Sequence, residues 1–400
     1  VLDIDIDIEA NARENCINAF KEVYGEDSVS QVLTLTTEGS RSAILTACRG
    51  LNVNNDYAQY LASLIQSDRG ITRTLEQMYY GDEENGFKAE PTFKAEMDSH
   101  PDIWNTALKI QGLICGCGAH AGGVIVNDLP FYESTSLMKT NNGIVVTSYE
   151  LHECESVSLI KFDLLSIDAL DKIKACLQLL LKDGRIQWQG SLKNTYEKYL
   201  GVYALERKDH KMWEMLWNHS IISFFQMEKD SGKKAIALIR PTSVSDLAVI
   251  NSTMRLMASE KGAEQPLDKL ARFKKDISLW YKEMDEYGLT KKEESLLEPI
   301  LNSSYGLCIF QEQMMQLVQL PEAGGFDLLW ADKLRKSVAK KQPKNFKLCE
   351  KEYFERVEER HLSKNFANYI WNVLISTQRG YGFNASHTCS YSLIGLQEAN

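Results

Sequence analysis

The sequence predicts an α+β protein, in which a strand-rich part is interrupted by a helical segment and followed by a long helical part. Residues 1–8 alternate aspartate with isoleucine, which is the period of a strand with one polar and one apolar face. Helical periodicity then occupies residues 41–113, and strand-like runs return between residues 121 and 163. Beyond residue 167 almost the whole chain has helical periodicity. A sheet whose strands lie on both sides of a helical insertion accounts for this order.

The shorter elements follow from local patterns. Residues 9–23 predict an amphipathic helix that ends at Gly25, because apolar side chains recur there among polar ones. Residues 28–36 are rich in β-branched side chains and predict the second strand. A further helix is expected to start near Ser166. The later strands are predicted at residues 121–127, 143–148 and 157–163.

The composition excludes several classes of protein. Hydrophobic residues make up 44% of the chain and charged residues 25%, which is ordinary for a globular protein. No apolar run approaches the roughly 18 residues of a membrane span. Nine cysteines at scattered spacings indicate reduced thiols rather than a disulfide framework. We therefore expect a cytoplasmic protein with no membrane partner.

Three aspartates share one face of the first predicted strand. Asp3, Asp5 and Asp7 are each two residues apart, and side chains at that spacing point the same way. Like charges this close repel each other unless a cation or a basic group neutralises them. A solvated edge strand, whose charges oppose aggregation, has the same pattern. Taken alone, these residues predict a metal site and a solvated edge about equally.

A fourth aspartate lies in an apolar strand. Asp163 is flanked by Phe162 and Leu164, and a carboxylate there is costly to bury unless it is paired or bound to a metal. Lys161, two residues earlier on the same face, is a candidate partner, and a helix-capping role is a further alternative. A third carboxylate beside two others is what a two-metal site for phosphoryl transfer requires, since Mg²⁺ prefers oxygen ligands.

A run of basic residues near the end of the chain favours contact with phosphate. The formal net charge of the chain is −10, yet a local cluster of cations sets the local field. The run contains no acidic residue, and such a segment is either a phosphate-binding surface or a solvated helix face. Its seven cations are Lys333, Arg335, Lys336, Lys340, Lys341, Lys344 and Lys347.

Seven stretches, taken together, carry a resemblance to one family. They are Leu2 to Ile8, Gly118 to Val124, Lys161 to Asp163, Phe225 to Glu228, Tyr305 to Met315, Asp332 to Lys341 and Gly380 to His387. They resemble, in the same order, the motifs of the C-family DNA polymerases, the alpha subunits of bacterial DNA polymerase III. The resemblance covers nearly all of the chain, so coincidence does not explain it.

The resemblance implies a specific architecture. Residues 1–40 and 116–170 would form a palm related to the nucleotidyltransferase fold of polymerase beta. Residues 41–115 would be an inserted helical thumb, and residues 171–400 a large, all-helical fingers domain. The chain would then be the palm–thumb–fingers portion of a DNA-directed DNA polymerase, encoded by a bacterium or by a phage and acting in the bacterial cytoplasm.

The resemblance also implies roles for individual residues. Asp5, Asp7 and Asp163 would be catalytic and would bind two Mg²⁺ ions, with Lys161 near the primer end or the phosphates. Expected partners are primer–template DNA and dNTPs, with a sliding clamp and other replisome subunits contacted through regions outside this chain. His120 we interpret as a core histidine, and Gln311 and Glu312 mainly as helix packing or polar scaffolding. Expected nucleotide or DNA contacts are Arg255, Arg335, Lys336, Lys340, Lys341, Arg379, Tyr381 and His387.

Departures from the family motifs keep alternatives open. Ala385 stands where a basic residue is usual, and Arg255 lacks the Pro-Gly turn that follows it in the family. The family's Gly-Ser-rich triphosphate loop, which should precede Val1, is not in this chain. We therefore expect a DNA polymerase, with three alternatives: an inactive part of a split polymerase that needs a complementary N-terminal chain, a two-metal nuclease, or a Ca²⁺ site without chemistry.

Overall fold

The computed structural model describes most of the chain, which divides into two compact units, Val1–Asp168 and Ala169–Asn400. Of the candidate site residues named above, Asp3, Lys340, Lys341 and Tyr381 lie outside the described residues, and Arg379 is described in its backbone alone. The described ranges are 4–68, 71–82, 87–205, 210–218, 221–256, 264–339, 343–379 and 382–400.

The first unit is built on a six-stranded sheet with the strand order β1-β8-β5-β2-β7-β6. Strand β1 runs parallel to β8 and β2 parallel to β7, whereas the other neighbouring pairs are antiparallel. The short strands β3 and β4 form a separate ribbon. The strands are β1 (Ile4–Ile8), β2 (Val29–Thr37), β3 (Ser67–Asp68), β4 (Ile71–Thr72), β5 (Ile114–Val126), β6 (Leu137–Lys139), β7 (Val145–Thr147) and β8 (Lys161–Ser166).

Helix α1 (Arg13–Tyr24) covers the apolar face of the sheet next to β1. Its buried Ile17 packs in one cluster with Leu164 of β8, and Ile6 and Ile8 of β1 pack against that cluster. Isoleucine therefore faces the core and aspartate the opposite side, as the period-two alternation predicts. The two remaining helices of the sheet region are α7 (Phe131–Ser134) and α8 (Leu151–Ser156).

A helical insertion between β2 and β5 has a hydrophobic core of its own. That core contains fifteen buried residues from Ala43 to Ala107, including Phe93 and Trp104. Thr74 and Gln77 form a capping box at one helix start, and Pro91 and Pro101 occupy first turns, where the missing N–H costs nothing. The insertion helices are α2 (Ser40–Gly50), α3 (Asn55–Ser63), α4 (Leu75–Tyr80), α5 (Pro91–Ser99) and α6 (Pro101–Ile110).

The second unit is helical throughout its described part. Its core is rich in large aromatic side chains, among them Trp280, Tyr353 and Trp371, which are fully buried. Tyr369–Ile375 form a π-helix. The α-helices are α9 (Asp168–Lys182), α10 (Leu192–Leu200), α11 (Val202–Leu205), α12 (His210–Trp217), α13 (Asp230–Ile239), α14 (Val244–Thr253), α15 (Pro266–Lys275), α16 (Ser278–Glu286), α17 (Lys291–Leu301), α18 (Gln311–Gln319), α19 (Leu328–Ala339), α20 (Pro343–Glu359), α21 (Lys364–Asn368) and α22 (Ala385–Ala399).

The α+β class is confirmed, while several element bounds differ from the prediction. Strand β5 begins at Ile114 rather than at residue 121, because it pairs with β2 as far as Thr37, although glycines hide its strand character in the sequence. Strand β8 begins at Lys161 rather than at residue 157, because Ser158 takes a positive φ after helix α8. Among the described residues, no helix is long and apolar enough to cross a membrane.

Candidate active site

The predicted carboxylates lie on two adjacent strands of the sheet. In the parallel pairing of β1 with β8, Asp5 stands directly opposite Asp163, and Asp7 stands opposite Leu165. Because opposed residues of neighbouring strands share a face and the strands are about 4.8 Å apart, all three aspartates lie on one face of the sheet. Asp5 is exposed, whereas Asp163 is buried, with 9% of its surface accessible. The structure thus brings the three carboxylates to one edge of the sheet.

Asp163 is paired with Lys161, and one of its oxygens lacks a hydrogen bond. The Lys161 ammonium donates to Asp163 Oδ2, and the two side chains are only 13% and 12% exposed. Asp163 Oδ1 is buried with no hydrogen-bond partner among the described residues. A buried carboxylate oxygen without a partner costs free energy, which a bound cation would recover.

The Lys161–Asp163 ion pair has a direct consequence for metal binding. Among the described residues, no three His, Cys, Asp or Glu side chains are already arranged to hold a metal ion. The ammonium of Lys161 is the cation that Asp163 contacts in this structure. Carboxylate oxygens are nevertheless the donors that Mg²⁺ prefers, and the partnerless Oδ1 of Asp163 fits such an ion. An ion bound through Oδ1 alone would leave the Lys161 pair in place, whereas one bound through both oxygens would displace Lys161.

His120 lies next to this face and was predicted to be a core residue. Its side chain is 38% exposed, and its Nδ1 lies 3.9 Å from Asp163 Oδ1. Nδ1 accepts the backbone N–H of Gly123 at 2.8 Å and that of Gly122 at 3.3 Å. The sequence contains no signal that distinguishes this position from a buried histidine in a strand.

In the second unit, four predicted or motif residues and Tyr391 form a row of adjoining side chains, which we call the aromatic stack. The Arg255 guanidinium lies 4.2 Å from the ring centroid of Phe383, and the Phe383 and His387 rings stack at 5.6 Å. His387 in turn contacts Tyr391 at 4.0 Å, and Phe225 packs edge-on against Tyr391 at 5.0 Å. Tyr391 and Phe383 were not predicted to be functional; spacing four along a helix links His387 to Tyr391.

Helix α18 holds the segment that carries this stack. The Gln311 backbone N–H donates to the Phe383 carbonyl at 2.9 Å, and Gln311 Nε2 donates to the Gly382 carbonyl at 2.5 Å. Glu312 accepts the backbone N–H of Ala385, at the first turn of α22, at 3.1 Å. A carboxylate at a helix N-terminus satisfies an otherwise unbonded donor and interacts favourably with the helix dipole. These contacts fit the scaffold interpretation of Gln311 and Glu312.

The cations of α19 have acidic partners that the basic run did not reveal. Arg335 and Lys336 both bind Asp332, at 2.8 Å and 2.7 Å. Lys333 binds Glu352 of α20 at 2.7 Å. Burial raises the pKa of the Asp332 carboxyl, but the hydrogen bonds from Lys336 and Arg335 outweigh it and hold that pKa below its usual value. These three cations therefore have carboxylate partners, and contact of Arg335 and Lys336 with phosphate stays a prediction.

Both units match models of one protein family. Residues 1–166 match the Bacterial DNA polymerase III alpha NTPase domain, and residues 175–361 match the Bacterial DNA polymerase III alpha subunit finger domain. The chain belongs to the bacterial DNA polymerase III alpha family. The resemblance carried by the seven motifs is confirmed.

Curated members of this family and its phage relatives align along the whole chain. The "Probable DNA polymerase YorL" of Bacillus subtilis (strain 168) and the "DNA-directed DNA polymerase" of Bacillus phage SPbeta are each 41% identical over 398 residues, covering 100% of this chain and 30% of the relative. The "DNA polymerase III subunit alpha" of Campylobacter jejuni is 28% identical over 405 residues, covering 99% of this chain and 30% of that protein. The chain thus spans less than a third of their length.

Proposed function

We propose that this chain is the polymerase core of a DNA-directed DNA polymerase, which joins deoxynucleotides to the 3′ hydroxyl of a primer. Residues 1–40 and 116–170 are then the palm, residues 41–115 the thumb and residues 171–400 the fingers. The observation that carries the proposal is the register of β1 with β8, in which Asp5 is opposite Asp163 on one face. Membership of the polymerase III alpha family supports the same conclusion.

Asp5, Asp7 and Asp163 are the residues that would hold the Mg²⁺ ions. Two such ions would supply Lewis acidity at the primer hydroxyl and neutralise charge on the pyrophosphate leaving group. The pairing of the two strands keeps Asp5 opposite Asp163, and their side chains would still have to reorient to share a cation. Lys161 would contact phosphate oxygens of the primer or the nucleotide wherever a metal took its place beside Asp163. Burial of this pair lowers the local dielectric and strengthens each of these interactions.

The second unit would supply contacts to the nucleotide and the template. Arg255 and His387 belong to the aromatic stack, whose faces suit a base or a sugar. Arg335 and Lys336 both form ion pairs with Asp332, so a phosphate group would have to compete with that carboxylate for these cations. Lys340, Lys341, Arg379 and Tyr381 stay predictions, since their side chains lie outside the described residues.

The partners belong to the same proposal. Primer–template DNA and dNTPs would be the substrates, and a sliding clamp and other replisome subunits would bind regions of the longer protein outside this chain. Cytoplasmic localisation follows from that role. The chain spans about 30% of its relatives, so activity of the chain alone is a separate question from activity of the whole protein.

Primer extension on a defined primer–template tests the proposal. The chain is assayed with dNTPs and Mg²⁺, alone and with an N-terminal portion of a relative supplied in trans. We expect extension in at least the complemented reaction, and extension by the chain alone would refute the split-polymerase alternative.

A control reaction without dNTPs tests the nuclease alternative. DNA degradation that Asp7→Asn abolishes, without extension under any condition, would overturn the polymerase proposal in favour of a nuclease. Divalent ions that raise the melting temperature of the chain, without any DNA binding, would instead favour a Ca²⁺ site without chemistry.

A further inference from the structure

His120 has one ring nitrogen committed to the backbone and one that is not. Nδ1 accepts the N–H groups of Gly123 and Gly122, at 2.8 Å and 3.3 Å. A nitrogen that accepts a hydrogen bond carries no proton, so in the neutral ring the proton lies on Nε2. No hydrogen-bond partner for Nε2 is found among the described residues. The backbone thereby selects the tautomer and leaves Nε2–H as a donor.

Two glycines of β5 lie close to His120, Lys161 and Asp163, where a larger residue would crowd these side chains. A Cβ atom at Gly123 would lie 3.0 Å from His120 Nδ1 and 3.2 Å from the Lys161 side chain. A Cβ atom at Gly122 would lie 3.3 Å from Asp163 Oδ1. Any side chain at Gly123 would therefore push the imidazole or the lysine away from its position. The pairing of β5 with β2 is irregular between Ala119 and Val124, the stretch that contains His120 and both glycines.

The electrostatic setting determines what the Nε2–H group can bind. The ring lies next to Asp163, which is already paired with Lys161, and 38% of its side chain is open to solvent. A donor held by the backbone loses little freedom when it binds an acceptor, so it suits an anionic oxygen that is present only during the reaction. In a nucleotidyl transfer site, such oxygens belong to phosphates.

We propose that His120 is a phosphate-binding residue of the active site, donating from Nε2–H to a non-bridging phosphate oxygen of the substrate. This inference rests on the proposed polymerase function. The phosphate belongs either to the incoming dNTP or to the end of the primer, and the two sources share the same chemistry. The role replaces the interpretation of His120 as a core histidine.

Two substitutions separate the two nitrogens of the ring. In His120→Asn, the amide oxygen can take the place of Nδ1 and accept the Gly123 N–H, but no donor reaches the position of Nε2. In His120→Gln, the longer side chain can place an N–H donor near Nε2 while the backbone contact is lost. Both variants are made in this chain and assayed for single-nucleotide extension with Mg²⁺, with the N-terminal portion of a relative supplied in trans.

We expect His120→Asn to lower kcat/KM about 10- to 100-fold, the loss that corresponds to one hydrogen bond to a charged group. We expect His120→Gln to stay within about 5-fold of the wild type, which is less than one such bond. A contact to the dNTP changes its KM or kcat for all four nucleotides alike. A contact to the primer instead weakens binding of primer–template, measured by fluorescence anisotropy without dNTPs.

The opposite ranking would overturn the proposal. If His120→Asn is as active as the wild type, the ring serves only to hold the glycine turn. If both variants lose activity, a third variant, His120→Nε2-methylhistidine, distinguishes the two explanations, because it keeps the Nδ1 acceptor and cannot donate from Nε2. Full activity of this variant refutes the phosphate contact. A loss of activity at an unchanged melting temperature supports it. Absence of extension by the wild-type protein would instead contradict the proposed function itself.

Discussion

Asp163 in the sheet and Asp246 in the helical unit are both buried aspartates paired with a lysine, and they differ in how well they are satisfied. Asp246 Oδ2 accepts from Lys274 at 2.8 Å and from the Thr242 backbone at 2.9 Å, and its Oδ1 accepts from Tyr305 at 2.8 Å. Asp163 has Lys161 on one oxygen and no hydrogen bond on the other.

The difference separates a structural ion pair from a candidate functional one. A buried carboxylate that serves only the fold is expected to have at least one hydrogen bond on each oxygen, since an oxygen without one costs free energy. Asp246 meets that condition and ties α14, α15 and the Tyr305 turn together. Asp163 does not, and it faces Asp5 on the adjacent strand. The unsatisfied oxygen, rather than burial or a lysine partner, marks the site.

The largest expected effect is that substitution of Asp163 mainly lowers activity, whereas substitution of Asp246 mainly lowers stability. Asp163→Asn should reduce primer extension by more than the roughly 100-fold loss that follows removal of an outer partner of a metal ligand. Asp246→Asn should lower the free energy of unfolding by about 3 kcal/mol, because Lys274 is left buried without its counterion. Extension assays and urea titrations measure the two quantities.

Asp5→Asn is the control for this pair, because Asp5 is exposed and its loss threatens the fold less. It should lose extension as Asp163→Asn does while unfolding at the wild-type urea concentration. Extension that is equally impaired in Asp246→Asn, at temperatures where that variant is folded, would remove the distinction between the two sites.

A third aspartate, Asp332, forms ion pairs that are more exposed than those of Asp163 and Asp246, and its partners Arg335 and Lys336 are the predicted phosphate-binding cations. Arg335→Ala should raise the KM for dNTPs about 10-fold with a small change in kcat, as expected for the loss of a charged hydrogen bond to phosphate. Lys333→Ala is the matched control on the same helix, since Lys333 binds Glu352 instead. Equal nucleotide dependence in both variants would exclude Arg335 from the nucleotide site.

Removal of the Tyr305 hydroxyl should make Asp246 resemble Asp163. In Tyr305→Phe, Oδ1 of Asp246 loses its donor, and the free energy of unfolding should fall by about 1–2 kcal/mol. Tyr281→Phe is a control, since the Tyr281 hydroxyl donates at 2.9 Å to Glu298 at a more exposed position. If both variants unfold at the wild-type denaturant concentration, the Tyr305–Asp246 hydrogen bond contributes no measurable stability. The proposed difference between Asp246 and Asp163 would then be contradicted.

The smallest expected effect is on the free energy of unfolding at acidic pH. Burial raises the pKa of Asp246, but hydrogen bonds from Lys274, Thr242 and Tyr305 outweigh it and lower that pKa below the unfolded value. Asp246 therefore contributes stability at pH values above about 4, and this contribution is lost as the pH falls through the lowered pKa. The difference in unfolding free energy between wild type and Asp246→Asn should thus shrink below pH 4. A difference that is constant down to pH 3 would contradict this.

Much of the first unit follows from local patterns, because period two is a property of every strand. The alternation in residues 4–8 predicts which side chains of β1 share a face, and the run around Asp163 predicts a buried strand. The register that sets Asp5 opposite Asp163 was not predictable, since it depends on which strands pair and on the packing of Ile17 beneath them. The partial exposure of His120 was not predictable either, since it lies where the pairing of β5 with β2 is irregular.

The ion pairs of the second unit were harder to predict than its helices. The run of cations from Lys333 to Lys347 contains no acid, yet Asp332 directly precedes it and Glu352 reaches it from the next helix. The Asp332 pairs have the i,i+3 and i,i+4 spacing of neighbours on one helix and could have been inferred from the sequence. The Glu352 pair could not, because it joins two helices. The aromatic stack was only partly predicted, since Tyr391 becomes a neighbour of His387 through the helix that follows the motif.

Binding of Mn²⁺, measured by electron paramagnetic resonance in the absence of DNA and nucleotides, tests the shared carboxylate site most directly. The account predicts that the wild-type chain binds Mn²⁺, that Asp5→Asn and Asp163→Asn weaken this binding at least about 10-fold, and that Asp246→Asn binds as the wild type does. Mn²⁺ binding that is unchanged in folded Asp163→Asn would contradict a metal site formed by β1 and β8.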